Sequence, residues 1–354
     1  MPLSWDMALR AGGMAVLTCA AVLAAAGPAE TANAPRRERI ILSYNNADRP
    51  LWTADDLLPY VAYVKPDGAL EGWFFDTFLL LGLNAASGRG LCPGFGDPST
   101  REDWDWYLEQ RLFGPDHHLA ALDRAVGLAK DRLGDPSHRV RVIITIPYPD
   151  ARQTQFGDLD GEPISFATPA GRARVVQWYL SQVASRWTRA HFSHLVLGGF
   201  YWIHEEVPVE DEELLPQVAA LCRKQLLPLY WIPWFGANGA GDWARHGFSV
   251  ALQQPNYFFY DVPPERLQQA ADFARAHGMG VELELDKRLL TSPDHRARYR
   301  RYLNAGVEFG FINLPSLAWY EDSALLLSSR SPDPEIRAFY DDTYAFALGT
   351  YRVR

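Results

Sequence analysis

The sequence predicts an α/β protein built as a (β/α)8 barrel of the TIM type, and three observations support this. Eight apolar, strand-like runs follow one another, most of them near-continuous rather than cleanly alternating, as in a parallel sheet covered on both faces. Amphipathic helices with capping signals lie between most of them. The 354 residues, 48% of them hydrophobic, are enough for one barrel and its core. A doubly wound sheet is the alternative, but no glycine-rich phosphate loop follows any strand. A leader over residues 1–34 and a single barrel domain over residues 35–354 are therefore expected.

The leader carries Arg10, an apolar stretch from Met14 to Ala26 (MAVLTCAAVLAAA) and the A-x-A signal Ala32-Asn33-Ala34. Such a stretch is short for a bilayer span and right for a secretory signal. It implies secretion or periplasmic export, with no stable membrane contact after cleavage; an uncleaved anchor is the alternative. Cys19 lies inside it, in VLTC, a poor lipid-attachment box. Cys92 and Cys222 remain, and their spacing leaves a single disulfide open.

The strands are expected at RIILSYN (39–45), GWFFDTFLLL (72–81), RVRVIITIPYP (139–149) and SHLVLGGFYWIH (193–204). The other four are LPLYWIPWF (227–235), GFSVALQQPN (247–256), GMGVELELD (278–286) and GVEFGFINL (306–314). The helix over 168–190 opens with Thr168 as N-cap and Pro169 in its first turn. Another over 263–280 starts with prolines and stops at Gly278, and a third covers 292–306. His117-His118 opens a further helix and is expected on a solvated face. Two long connections, 83–103 and 148–167, leave strand C-termini, the end where barrel sites are built, and are expected to wall a cleft.

Composition narrows the function. A net charge of −9 with 22% charged residues argues against a nucleic-acid binder, which would show a basic face, and favours a neutral substrate. The 12 Trp, 16 Tyr and 18 Phe make the chain aromatic-rich; some of those rings belong to the core, and a surplus often lines a groove on which sugar rings or other flat apolar faces stack. The carboxylates then decide. Glu205 and Glu206 follow strand four directly, while Glu282, Glu284 and Asp286 alternate with aliphatic residues along strand seven and point into the barrel. Acids at the ends of strands four and seven face each other across the mouth. Glycoside hydrolysis needs such a pair, one carboxylic acid and one carboxylate, with environments that separate their pKa values. Glu205 is expected as the acid/base, with Glu206 close behind it, and Glu284 as the nucleophile.

Other mouth positions fit a sugar site: Tyr44, Asn45, Asp76, Tyr148, Trp202, His204, Trp231, Trp234, Gln253, Asn256 and Asp286. The bland readings are that Glu205 or Glu206 favours a helix N-terminus and that Glu282 pairs with Arg141. No metal is expected, since H-x-H, H-E-x-x-H and cysteine pairs at ligand spacing are absent, and no cofactor motif appears. A serine hydrolase would need a G-x-S-x-G elbow, which is also missing.

In GGFYWIHEEV, LYWIPWFGANG, QQPNYFF and HGMGVELELD the chain resembles a bacterial family known as domain of unknown function 4855, a likeness that extends from LSYNN to the end. The layout of acids also resembles the retaining (β/α)8 glycosidases, whose acid/base follows strand four and whose nucleophile follows strand seven. That resemblance implies the acid role for Glu205 and the nucleophile role for Glu284. It departs at His204, where the glycosidases have Asn. The expectation is a retaining glycoside hydrolase acting on an oligo- or polysaccharide that is neutral or weakly charged. A non-catalytic carbohydrate-binding barrel and a metal-assisted hydrolase or lyase are the alternatives.

Overall fold

The structure is a computed structural model that describes residues 37–354; the leader, with Cys19 and the A-x-A signal, lies outside the described residues. Eight parallel strands close into a barrel: Glu38–Tyr44, Thr77–Leu81, Val140–Ile146, Leu195–Trp202, Leu229–Trp231, Val250–Gln253, Gly280–Glu284 and Ser316–Tyr320. They are called strands one to eight below. Each pairs with its neighbours in sequence, and strand one closes on strand eight, with Glu38 opposite Ser316 and Ile41 opposite Trp319. The barrel and its helices form one compact unit. No helix among the described residues is long and apolar enough to cross a membrane.

The apolar runs become strands because both faces are covered. Ile40, Phe78, Leu79, Ile143, Ile144, Phe200, Val281 and Leu283 are all fully buried. The helix Pro169–Ala190 begins where its cap predicts, with the Thr168 hydroxyl accepting from the Gly171 amide. Strands five and six are much shorter than their apolar runs. Pro228 and Pro233 bracket strand five, and a residue without an N–H cannot extend a ladder.

Two sequence expectations are corrected. The run 72–81 is two elements: the end of an antiparallel hairpin, Ala62–Val64 with Leu70–Trp73, and then strand two. The hairpin turns at Lys65-Pro66-Asp67-Gly68, with Gly68 at φ 84. Strand eight is not GVEFGFINL. The helix Pro293–Glu308 continues into that run and is capped by Phe309, Gly310 leads into a short helical turn, and the strand is SLAWY after Pro315. A short apolar run does not by itself distinguish a strand from the end of a buried helix.

Candidate active site

At the C-terminal face, the loops enclose a cleft of about 450 Å³. It is lined by Glu205, Glu206 and His204 after strand four, Glu282 and Glu284 from strand seven, and Gln254 and Asn256 after strand six. Trp234, Phe259, Tyr260 and Tyr320 add aromatic surface, and Leu83, Cys92, Pro93 and Phe95 close one side from the loop after strand two. The sequence-predicted wall over 83–103 is therefore in place. The second predicted wall is not: segment 148–167 forms a small hairpin, Gly157–Leu159 with Glu162–Ile164, away from the cleft.

Strand four ends at Trp202, and the chain is then pinned so that residues 204–206 project into the cleft. The Trp231 indole donates to the His204 carbonyl at 2.7 Å, and the Val207 amide donates to the Asn238 carbonyl at 3.0 Å. Glu205 and Glu206 cap no helix; the next one, Val209–Glu212, is capped by Pro208 without a side-chain hydrogen bond.

His204 is held from behind. Its Nδ1 lies 3.4 Å from Asp211 Oδ2, and its ring stands edge-on to Tyr148 at 4.6 Å. Asp211 is fully buried, bound by Arg172, itself 1% exposed, and by the Tyr148 hydroxyl at 3.2 Å. Arg172 in turn donates to the Pro149 and Glu210 carbonyls. A carboxylate behind Nδ1 makes that nitrogen the donor and turns Nε2 toward the cleft, where Glu206 Oε1 is 4.0 Å away.

The three inner glutamates have contrasting surroundings. Glu205 is open to solvent at the cleft mouth, yet protein walls surround it on most sides. That partial loss of water, with the nearby charge of Glu284, raises its pKa to about 7 against the opposing effects of Gln254 and His204. Glu282 is 2% exposed, and no hydrogen bond to its carboxyl offsets its burial. Burial first, then the charges of Glu284 and Glu205, push its pKa well above the carboxylate range. Glu284 is equally buried and burial raises its pKa as well, but hydrogen bonds from Tyr302, Tyr257, Asn256 and the Phe258 backbone oppose the shift. Asn256 Nδ2 donates to Oε1 at 3.2 Å, and the Tyr257 amide at 3.0 Å and the Tyr302 hydroxyl donate to Oε2. Asn256 reaches this position with φ 50, a left-handed conformation that Asn tolerates, while its Oδ1 accepts from the Phe235 amide.

Among the sequence-predicted residues, the structure gathers Glu205, Glu206, Glu284, His204, Trp234 and Asn256 into the cleft. The others do not line it. Trp231 is fully buried and stacked on Phe248, and Trp202 is fully buried against Tyr148. Tyr148 serves the Asp211 network, and the Gln253 amide donates to backbone carbonyls. Asn45 accepts from the buried His118 ring, and Tyr44 borders a separate small pocket. Asp76 directly precedes strand two at the opposite end of the barrel, ion-paired to Arg39. Asp286 is held by the Arg288 amide and guanidinium. Period-two alternation places a residue on a face, but it does not say whether that face meets a cleft or another side chain.

Two further expectations are corrected, on Arg141 and His118, and one open question is answered, on the two cysteines. Arg141 pairs with Glu38 at 3.7 Å rather than with Glu282. His118 is fully buried between Ser43 and Asn45, and burial lowers its pKa to about 3. Cys92 and Cys222 are free thiols. The sequence reading set Glu282 aside as structural and passed over Phe95, Phe259 and Tyr260; aromatic residues in a glycine-rich loop and after QQPN were the available signal. Among the described residues, no group of three or more His, Cys, Asp or Glu side chains is placed to hold a metal ion.

The family whose description reads domain of unknown function DUF4855 matches residues 39–345. No curated protein matches the sequence. Among solved structures, a candidate alpha-L-fucosidase from Bacteroides thetaiotaomicron is 12% identical, with a TM-score of 0.48 over 92% of this chain and 99% of that one. The carboxyl transferase domain of Rhizobium etli pyruvate carboxylase is 10% identical, with a TM-score of 0.42 over 90% of this chain and 48% of that one. A GH18 chitinase from Flavobacterium johnsoniae is 11% identical, with a TM-score of 0.46 over 88% of this chain and 95% of that one. At such scores and identities, these likenesses say nothing about activity.

Proposed function

The chain belongs to the family described as domain of unknown function DUF4855, and we propose that it is a retaining glycoside hydrolase acting on a neutral or weakly charged glycan. One observation carries the reading: Glu205 and Glu284 line a single cleft at the mouth of the barrel, Glu205 beside solvent and Glu284 buried among hydrogen-bond donors. Glu205, with a pKa raised to about 7, holds a proton at neutral pH and faces the solvent side. Glu284 has donors on both oxygens, which favour its ionised form. Glu282, buried beside them without a donor, keeps its proton, so a second negative charge beside Glu284 is avoided.

In the first step Glu205 gives its proton to the glycosidic oxygen while Glu284 Oε1, which accepts a single hydrogen bond, attacks the anomeric carbon. The C–O bond to the leaving sugar breaks and a glycosyl ester forms. Glu205, now a carboxylate, then takes a proton from water, whose oxygen attacks the same carbon and frees Glu284. His204 Nε2 and Glu206 offer acceptors for sugar hydroxyls beside the reacting bond. The leader expected over residues 1–34 puts the proposed site of action outside the cytoplasm.

The test is leaving-group dependence. Glu205→Gln is expected to lower kcat/KM by roughly 10²–10⁴ on glycosides with poor leaving groups, and far less on activated nitrophenyl glycosides. An equal loss on both would remove Glu205 from the acid role. One observation favours a second reading, the non-catalytic carbohydrate-binding barrel: the bonds to Glu284 also tie strand seven to the helix Pro293–Glu308 and to the loop after strand six. That reading predicts glycan retention without turnover by the unmodified protein.

A further inference from the structure

Three aromatic side chains among the described residues stay substantially exposed: Phe95 at 48%, Trp234 at 39% and Tyr260 at 58%. All three border the acid-lined cleft. Exposed aromatic surface is unfavourable in water, and its concentration at one cleft calls for a ligand with flat apolar faces. The same lining contains four glutamates and no lysine or arginine, which disfavours a ligand carrying carboxylate or sulfate groups.

The order of the strands adds a direction. Phe95 comes from the loop after strand two, Trp234 from the segment after strand five and Tyr260 from the segment after strand six. Strands two and six stand opposite each other in the closed eight-stranded ring. A line across the mouth between them leaves strand four, which carries Glu205, on one side and strand seven, which carries Glu284, on the other.

We propose that Phe95 and Tyr260 are opposite stacking platforms for one uncharged sugar chain that runs across the mouth between the two acids, with Trp234 supporting the Tyr260 end. The inference rests on the glycosidase reading and deepens it: a chain held on both sides of the acids is cut internally. Each platform binds sugar units away from the bond that breaks, so removing one weakens retention of the polymer.

The experiment is native electrophoresis of the full chain in gels cast with mixed-linkage glucan, arabinoxylan, galactomannan or starch, and with polygalacturonate as the anionic counterpart. At least one neutral polymer is expected to retard the protein, with about tenfold weaker retention for Phe95→Ala and for Tyr260→Ala, the loss of one aromatic contact. Glu284→Gln is expected to be retarded like the unmodified chain, and polygalacturonate not to retard it. On the retained polymer, the earliest products are a ladder of oligosaccharides. Lack of retardation by every neutral polymer, retardation by polygalacturonate, or full retention by both aromatic variants would overturn the inference, as would early products that are monosaccharide alone. Retention that depends on the aromatics, with turnover indifferent to Glu205→Gln and Glu284→Gln, would instead remove the catalytic reading and leave the platforms standing.

Discussion

Glu205 and Glu282 are carboxyls whose folded pKa values lie above their unfolded values, and this sets the sign of two pH effects. Activity that needs protonated Glu205 is expected to fall above about pH 7, and kcat/KM for an activated aryl glycoside should lose that falling limb in Glu205→Gln. A limb unmoved by the substitution would assign it to another group. For stability, the unfolded chain releases the Glu282 proton near the ordinary carboxyl pKa of about 4.3, whereas the folded chain holds it to higher pH. Stability is therefore full below that unfolded pKa and lost as pH rises toward the folded one. Glu282→Gln, which cannot ionise, should raise Tm at pH 8 by roughly 2–4 °C and make no difference at pH 4. A Tm lowered at pH 8 would show that the carboxyl is a structural partner. At this scale the sequence was informative where strand position brings a residue to the cleft, as with Glu205 and Glu284. It was silent on burial without a partner, which is what distinguishes Glu282 from Glu284.

Among the structural elements, the segment after strand four stands out because its geometry depends on a buried charge pair. Asp211 and Arg172, 0% and 1% exposed, join the helix Pro169–Ala190 to the turn that presents His204. Removing one member leaves the other buried and unpaired, so Asp211→Ala is expected to cost roughly 3–5 kcal/mol of stability, read as a lower midpoint in urea. A cost below about 1 kcal/mol would place the pair at the solvated-ion-pair level and detach His204 from it. Helix caps and strand runs were legible because they are local: Thr168, Ser292 and the run RIILSYN all act within a few residues of themselves. The eighth strand was not, because Gly310 and Pro315 move it past the apolar run that advertised it. The Asp211 network was invisible for the same reason, since its members lie at positions 148, 172, 204 and 211 and meet only when the barrel closes.

For the molecule as a whole, barrel closure turns eight separate runs into a site. Strand order brings the loop after strand two opposite the segment after strand six, and strands four and seven supply acids on either side of the line between them. The class of fold was readable from the apolar runs and their helices. Which aromatic residues reach the mouth was not, because Trp231 and Trp234 are three positions apart, one stacked in the core and the other on the rim. Incubation with EDTA is expected to leave turnover unchanged, and a loss restored by a divalent cation would support the metal-assisted alternative. The most direct test of the central claim is turnover of a panel of polysaccharides and aryl glycosides by the unmodified protein and by Glu284→Gln in parallel. Hydrolysis by the unmodified protein is expected to fall by about 10³ or more in the variant while polymer retention persists. Hydrolysis that survives the substitution, or retention by both proteins with turnover by neither, would contradict that claim.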